Sequence, residues 1–386
     1  MKHSQPRPKH QASDASVVTE KLCLQSEVAR LDRTPLLRAA SKADLQRFRK
    51  DCKVTLELAN KVDSWLMGWL LPASIVLVNC MSVNLRMSEG TSKLNSCLVV
   101  GLRGSGKSEL LERMLAASNP EHMTVLPPKI FESQLAKKSS EFFHNKILVL
   151  DDLIVTFEGM DPKQRQQLQN FWTKILEGNY ARDDYHITNV SVMALFGLAS
   201  EKLSKFRSQL LDATFFDRVV PFKYDVTREK KRQILELRAQ RSMSKTKTQR
   251  PIIKLPLPDK IEDSKKVDVV FPRSKEIEAK IIEYAMELDN YGVQSSTRAQ
   301  DYIKTFMRAN ALLNGRKHVT KSDLLLYDAT HPLFLNSMGE LGTERRIELI
   351  IRSNPNMSDK HRMEMADVSP ATFYKYKKIL QGKGLV

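Results

Sequence analysis

A chain of 386 residues with 62 Lys+Arg against 45 Asp+Glu carries a formal net charge of +17. The length suits roughly two or three domains of about 100–200 residues each, and 41% hydrophobic residues supply a real core and exclude wholesale disorder. Four cysteines without a CxxC pair (Cys23, Cys52, Cys80, Cys97) exclude a disulfide scaffold or zinc ribbon and fit a reducing compartment, while the basic balance points to a polyanionic partner such as nucleic acid.

Residues 1–20 are polar and predict a disordered tail without a secretory signal. Residues 21–95 read as an N-terminal helical region. Its apolar stripe passes through Leu22, Val28, Leu31, Leu45 and Phe48, then runs from Val54 to Leu71. Pro72 is expected to break or kink that helix. The most apolar run, Trp65–Val78, is shorter than the about 20 residues of a membrane span. A buried helix, no membrane partner and a cytoplasmic, intracellular location are therefore expected.

Between 96 and 226 short apolar runs alternate with helical patterns. Ser96–Gly101, Lys146–Leu150 and Val190–Phe196 have the continuous apolarity of strands buried on both faces. Strands separated by helical segments predict a parallel sheet with crossover helices, an α/β core. Residues 227–273 read as a basic linker, with ten Lys/Arg against two acids over 228–254. A small helical domain is expected over 274–334, carried by Ile277, Ile281, Tyr284, Tyr302 and Phe306. Residues 335–386 form a separate helical unit, with helices over Glu344–Ile351 and Lys360–Ala366. There Ser369 as N-cap and Pro370 at the first helical position open a third helix in a helix-turn-helix layout. Gly382-Lys-Gly384 resembles the start of the wing of a winged-helix domain.

Gly101-Leu-Arg-Gly104-Ser105-Gly106-Lys107-Ser108 matches G-x-x-x-x-G-K-[ST] in full, between a strand-like and a helix-like segment. Glycines let backbone N–H groups curl around phosphates, and the following helix directs its positive end at them. Lys107 would reach the β- and γ-phosphates and Ser108 would hold Mg²⁺. The apolar strand Lys146–Leu150 runs into Asp151-Asp152. Asp151 is the second candidate Mg²⁺ ligand and Asp152 the candidate for polarising water; the competing reading is an acidic pair that caps the next helix. ATP and Mg²⁺ are the expected cofactors. The eight histidines form no HExxH, and no serine lies in a G-x-S-x-G setting, so neither a transition-metal site nor a serine hydrolase is indicated.

The order of P-loop, Asp-Asp strand, helix, hairpin at Gly178–His186, third strand and Phe215-Phe216-Asp217-Arg218 resembles the AAA+ ATPases. More closely it resembles the minichromosome maintenance (MCM) helicases and their shorter relatives on mobile elements and viruses. The resemblance covers about 96–334 and implies an AAA+ core with a helical lid. It implies that Arg218 is an arginine finger completing a neighbouring subunit's site, and that Arg298 reaches the nucleotide from the lid. It also makes Arg182 a DNA contact at the hairpin, beside Lys375, Lys377 and Lys378 of the C-terminal unit. A homo-oligomeric ring, with a hexamer as one closure, DNA and replication proteins are the partners implied. Two departures stand out. Gly197 occupies the place where the family keeps a polar side chain, with Ser200 as a substitute, and no β-rich N-terminal domain precedes the core. The function implied is an ATP-dependent DNA motor. The alternatives are an ATP-switched replication initiator or helicase loader, and a protein-remodelling ATPase.

Overall fold

The computed structural model describes residues 40–86, 94–182, 185–200, 215, 218–224, 232–237, 239, 249–335, 337, 347, 351, 358–366 and 368–382. The expected tail 1–20, the stripe at Leu22, Val28 and Leu31, most of the helix 344–351 and the closing Gly384 lie outside them.

In chain order the strands are β1 (Ser96–Gly101), β2 (Met123–Val125), β3 (Lys146–Leu150), β4 (Tyr180–Arg182), β5 (Tyr185–Ile187), β6 (Val192–Ala199) and β7 (Val219–Tyr224). Five of them form a parallel sheet in the order β2-β3-β6-β1-β7. Strand β6 thus lies between the strand that feeds the glycine loop and the strand that ends in Asp151. Strands β1 and β6 are buried along their whole length, as continuous apolarity requires of a sheet covered on both faces. β4 and β5 form a separate antiparallel hairpin.

The helices are α1 (Lys42–Asp51), α2 (Lys53–Leu66), α3 (Leu70–Met81), α4 (Glu132–Ala136), α5 (Ser140–Phe143), α6 (Leu153–Phe157), α7 (Pro162–Ile175), α8 (Lys275–Asn290), α9 (Ser296–Leu313), α10 (Lys321–Leu335), α11 (Asp359–Ala366) and α12 (Pro370–Gly382). One sheet face is covered by α7, with the Trp172 and Phe196 rings edge-to-face at 5.1 Å. The other carries α10, where Phe222 meets Phe334 at 6.1 Å. None of the helices in the described residues is long and apolar enough to cross a membrane.

Two expectations change. The α2–α3 break falls at Met67-Gly68, whose φ angles are 40° and 82°, and not at Pro72. Pro72 sits in the first turn of α3, where its missing N–H costs no intrahelical bond. Asp63 Oδ1 accepts the Leu70 N–H at 3.1 Å and secures the new helix start.

The second half of the basic linker is a packed strap. Ile253, Leu255, Ile261 and Val269 are buried, Asn119 accepts from the Leu255 N–H and donates to the Ile253 carbonyl, and Val267 bridges to Leu85. Apolar burial at alternate positions pins the segment, and the surrounding lysines and prolines hide that pattern.

The helices α8–α10 occupy the expected 274–334. A buried polar network fastens them to the N-terminal helices: Arg316 forks onto Asp323, which also accepts from Asn310, while Asn310 Oδ1 accepts from the Thr55 hydroxyl. Each buried polar group here gains a partner, which burial demands. In the C-terminal unit, Phe373 and Leu380 of α12 and Ile347 form a small separate core, against which Tyr376 packs.

Candidate functional site

The glycine loop sits at the C-terminal end of β1. Gly104 and Gly106 have φ of 74° and 100°, a region that glycine enters without strain. The helix that follows is π-helical over Glu109–Leu115. Lys107 Nζ donates to the Gly101 and Leu102 carbonyls at 2.7 and 3.1 Å, so the ammonium lies inside the curl of the loop.

Asp151 stands across from it at the end of β3. The Ser108 side chain is a favourable polar neighbour of its carboxylate. Burial raises the Asp151 pKa above the ordinary range, Asp152 adds to the rise, and the Ser108 side chain and Lys107 oppose it. Asp151 Oδ1 is buried and has no hydrogen-bond partner. A buried carboxylate oxygen in that state is costly unless a cation or donor reaches it. The Ser108–Asp151 pair with this orphaned oxygen fits a hydrated Mg²⁺ carried by a nucleotide. Glu112, one helical turn beyond Ser108, belongs to the same acidic cluster: burial, then Asp151, raises its pKa.

Asp152 takes the competing role. Its Oδ1 accepts the Ile154 and Val155 N–H groups at 2.9 and 3.3 Å, so it is the N-cap of α6. Gly197 also has a physical reason. A Cβ placed there would lie 1.8 Å from the Asp151 carbonyl oxygen. β6 therefore carries no side chain at this one position beside Asp151, and the polar residue of the family pattern is sterically excluded there. Gly197→Ala is expected to cost about 3 kcal/mol or more, read as a lower chemical-denaturation midpoint. An unchanged midpoint would mean that the two backbones do not approach this closely.

The turn between α2 and α3 closes over the loop, a contact the sequence reading missed. Trp69 Nε1 donates to the Ser105 carbonyl at 2.8 Å and Trp65 Nε1 to Glu109 Oε1 at 3.3 Å. Tyr224 of β7 donates its hydroxyl to the Met67 carbonyl at 2.8 Å, with its ring 4.7 Å from that of Trp69. Arg250 at the start of the strap also pairs with Glu109. Two tryptophans flanking a Met-Gly step were the available signal.

Arg218 lies elsewhere. Val219 is paired with Ser96 and Tyr224 with Gly101, so Arg218 is one strand length, roughly 20 Å along the strand direction, from the loop of its own chain. It pairs with Glu177, at the end of the segment following α7. Arg298, at the start of α9, is 3.6 Å from the same carboxylate. The sequence suggests that Arg298 reaches a nucleotide from the lid; the structure puts it beside Arg218 at the end of the strands opposite the glycine loop of the same chain. The signal for that pairing is long-range and absent from either motif.

The expected DNA contacts divide. Arg182 donates to Glu132 at 2.7 Å, and Lys377 is 2.6 Å from Asp359, whose pKa Lys377 holds below the usual carboxylate range. Both side chains are thus engaged internally, while Lys375 and Lys378 of α12 are exposed. The Ser369 hydroxyl accepts the Thr372 N–H at 3.3 Å, the capping bond expected for that helix.

No family model matches the sequence, and no curated protein matches it either.

Proposed function

We propose that this chain is an AAA+ ATPase of MCM-like type that works as an ATP-driven motor on DNA, probed best as a ring of identical subunits. One observation carries the reading: the nucleotide-binding residues lie at the C-terminal ends of the sheet strands and the two arginines at the opposite, N-terminal ends. Stacked head to tail, each copy would offer Lys107, Ser108 and Asp151 to a nucleotide and receive Arg218 and Arg298 from its neighbour. Such heterologous contacts close into rings when the rotation allows.

In that assembly the loop N–H groups and Lys107 bind and orient the triphosphate, with Lys107 leaving the Gly101 carbonyl for the phosphate oxygens. Ser108 and Asp151 would hold Mg²⁺, which neutralises charge on the β- and γ-phosphates. The incoming guanidinium of Arg218 stabilises the charge that develops on the transferred group. The α11–α12 pair is read as the core of a helix-turn-helix or winged-helix unit that contacts duplex phosphates through Lys375 and Lys378.

The test is oligomeric state and ATP turnover of the full chain, with and without single-stranded or forked DNA. The motor reading expects a closed ring by mass photometry and turnover stimulated by single strands. A second reading, an ATP-switched DNA-binding initiator, draws support from Gly197, because no side chain there can orient a water. It expects a monomer on duplex DNA that holds ATP with little turnover. A chain that binds no DNA would leave the protein-remodelling ATPase.

A further inference from the structure

We infer that the cavity beside the tip end of the β4–β5 hairpin, at the Arg182–Tyr185 pair, is a nucleobase site for single-stranded DNA. The inference rests on the DNA reading above and assigns this face a role other than holding phosphates. The cavity measures 200 Å³ and lies between Phe131 and Glu132 at the start of α4, Gln164 and Gln167 of α7, and Arg182 and Tyr185 of the hairpin. That is below the about 300–1,000 Å³ of sites that bury a drug-sized ligand, so the fitting occupant is one small ring system.

Charge argues against a phosphate. Glu132 is 6% exposed, and its two oxygens accept from the Tyr180 hydroxyl and from Arg182. Burying a carboxylate is costly unless such donors satisfy it. Arg182 is therefore neutralised by a built-in partner, and the next two residues in the sequence are Asp183 and Asp184. A hairpin made to grip the backbone would not cancel its own cation in this way. The same ion pair fixes the plane of the guanidinium, a group that stacks on ring faces and hydrogen-bonds base edges.

The rest of the lining suits a flat, uncharged, polar ring. Phe131 is 39% exposed despite its size, and the partly buried Tyr185 adds a second aromatic face. Bases stack on such faces regardless of identity. Gln164 and Gln167 are three residues apart and share one face of α7. The Gln164 carbonyl oxygen accepts the Asp161 N–H at 3.2 Å in the helix cap, which orients its amide NH₂ as a donor. Gln167 can donate and accept, the pairing that base edges require.

The experiment is fluorescence anisotropy of the full chain on a labelled oligothymidylate and on an abasic strand of equal length, which keeps the phosphates and lacks the bases. The wild type should bind the intact strand at least about fivefold more tightly. Phe131→Ala should remove most of that preference and leave abasic binding unchanged; Gln167→Ala should reduce the preference in the same direction. Equal binding of both strands by the wild type would overturn the base site while keeping DNA binding. A preference that survives both substitutions would also overturn it. If neither strand binds, the DNA reading fails and the base site falls with it.

Discussion

Lys107→Ala is expected to weaken binding of a non-hydrolysable ATP analogue on the order of 100-fold, with the fold intact. The magnitude follows from two charge-assisted hydrogen bonds of about 1.5–3 kcal/mol each, lost from the terminal phosphates. The fold should survive because the hydrogen bonds of Lys107 Nζ to Gly101, Leu102 and Ser105, at 2.7, 3.1 and 3.5 Å, lie within the loop itself. Binding can be followed without a label. Trp69 donates to the Ser105 carbonyl and Trp65 to Glu109, so phosphate entry into the loop should change tryptophan emission. A folded Lys107→Ala protein with wild-type analogue affinity would sink the nucleotide-site assignment.

What the sequence exposed of this site follows from the range of the physics involved. The glycine loop and Asp151 were legible because both are local: phosphate binding needs glycines and a lysine at fixed spacing, and an acid at the end of an apolar strand is a strong pattern. Strands β1, β3 and β6 were legible for the same reason. β2 has three residues, too few to show a period, and β7 carries Pro221 and Lys223, which fit its place at the sheet edge. Neither was read as a strand.

The less local features were hidden. Glu177 has no motif, yet it gathers Arg218 and Arg298 from segments 80 residues apart in sequence. The strap at Ile253, Leu255, Ile261 and Val269 was masked by the charge of its neighbours. Asp152 could be weighed as a cap or as a catalyst, and only the position of the Ile154 N–H decided that it caps. Gly197 looked like a missing residue and is instead the consequence of a backbone oxygen that leaves no room for one.

Arg218→Ala is expected to bind ATP normally and to lose about 10³-fold or more of its turnover. Binding is spared because the residue lies one strand length from the loop of its own chain. Turnover is lost because the charge it supplies is needed only where the phosphoryl group is transferred. Glu177 gives this arginine a resting partner in the isolated chain, so its removal should leave Arg298 as the neighbouring cation and the local fold in place. The cross-subunit role is then separable from a structural one by mixing. Lys107→Ala copies lack a working loop and keep Arg218, whereas Arg218→Ala copies keep the loop. In a mixed ring, an interface that joins the intact loop of one to the intact arginine of the other should regain turnover, although neither variant is active alone. Recovery should rise and fall with the mixing ratio and peak near equal amounts. No recovery at any ratio, with rings still forming, would place Arg218 in a purely structural role at the sheet edge and remove the main support for a shared site.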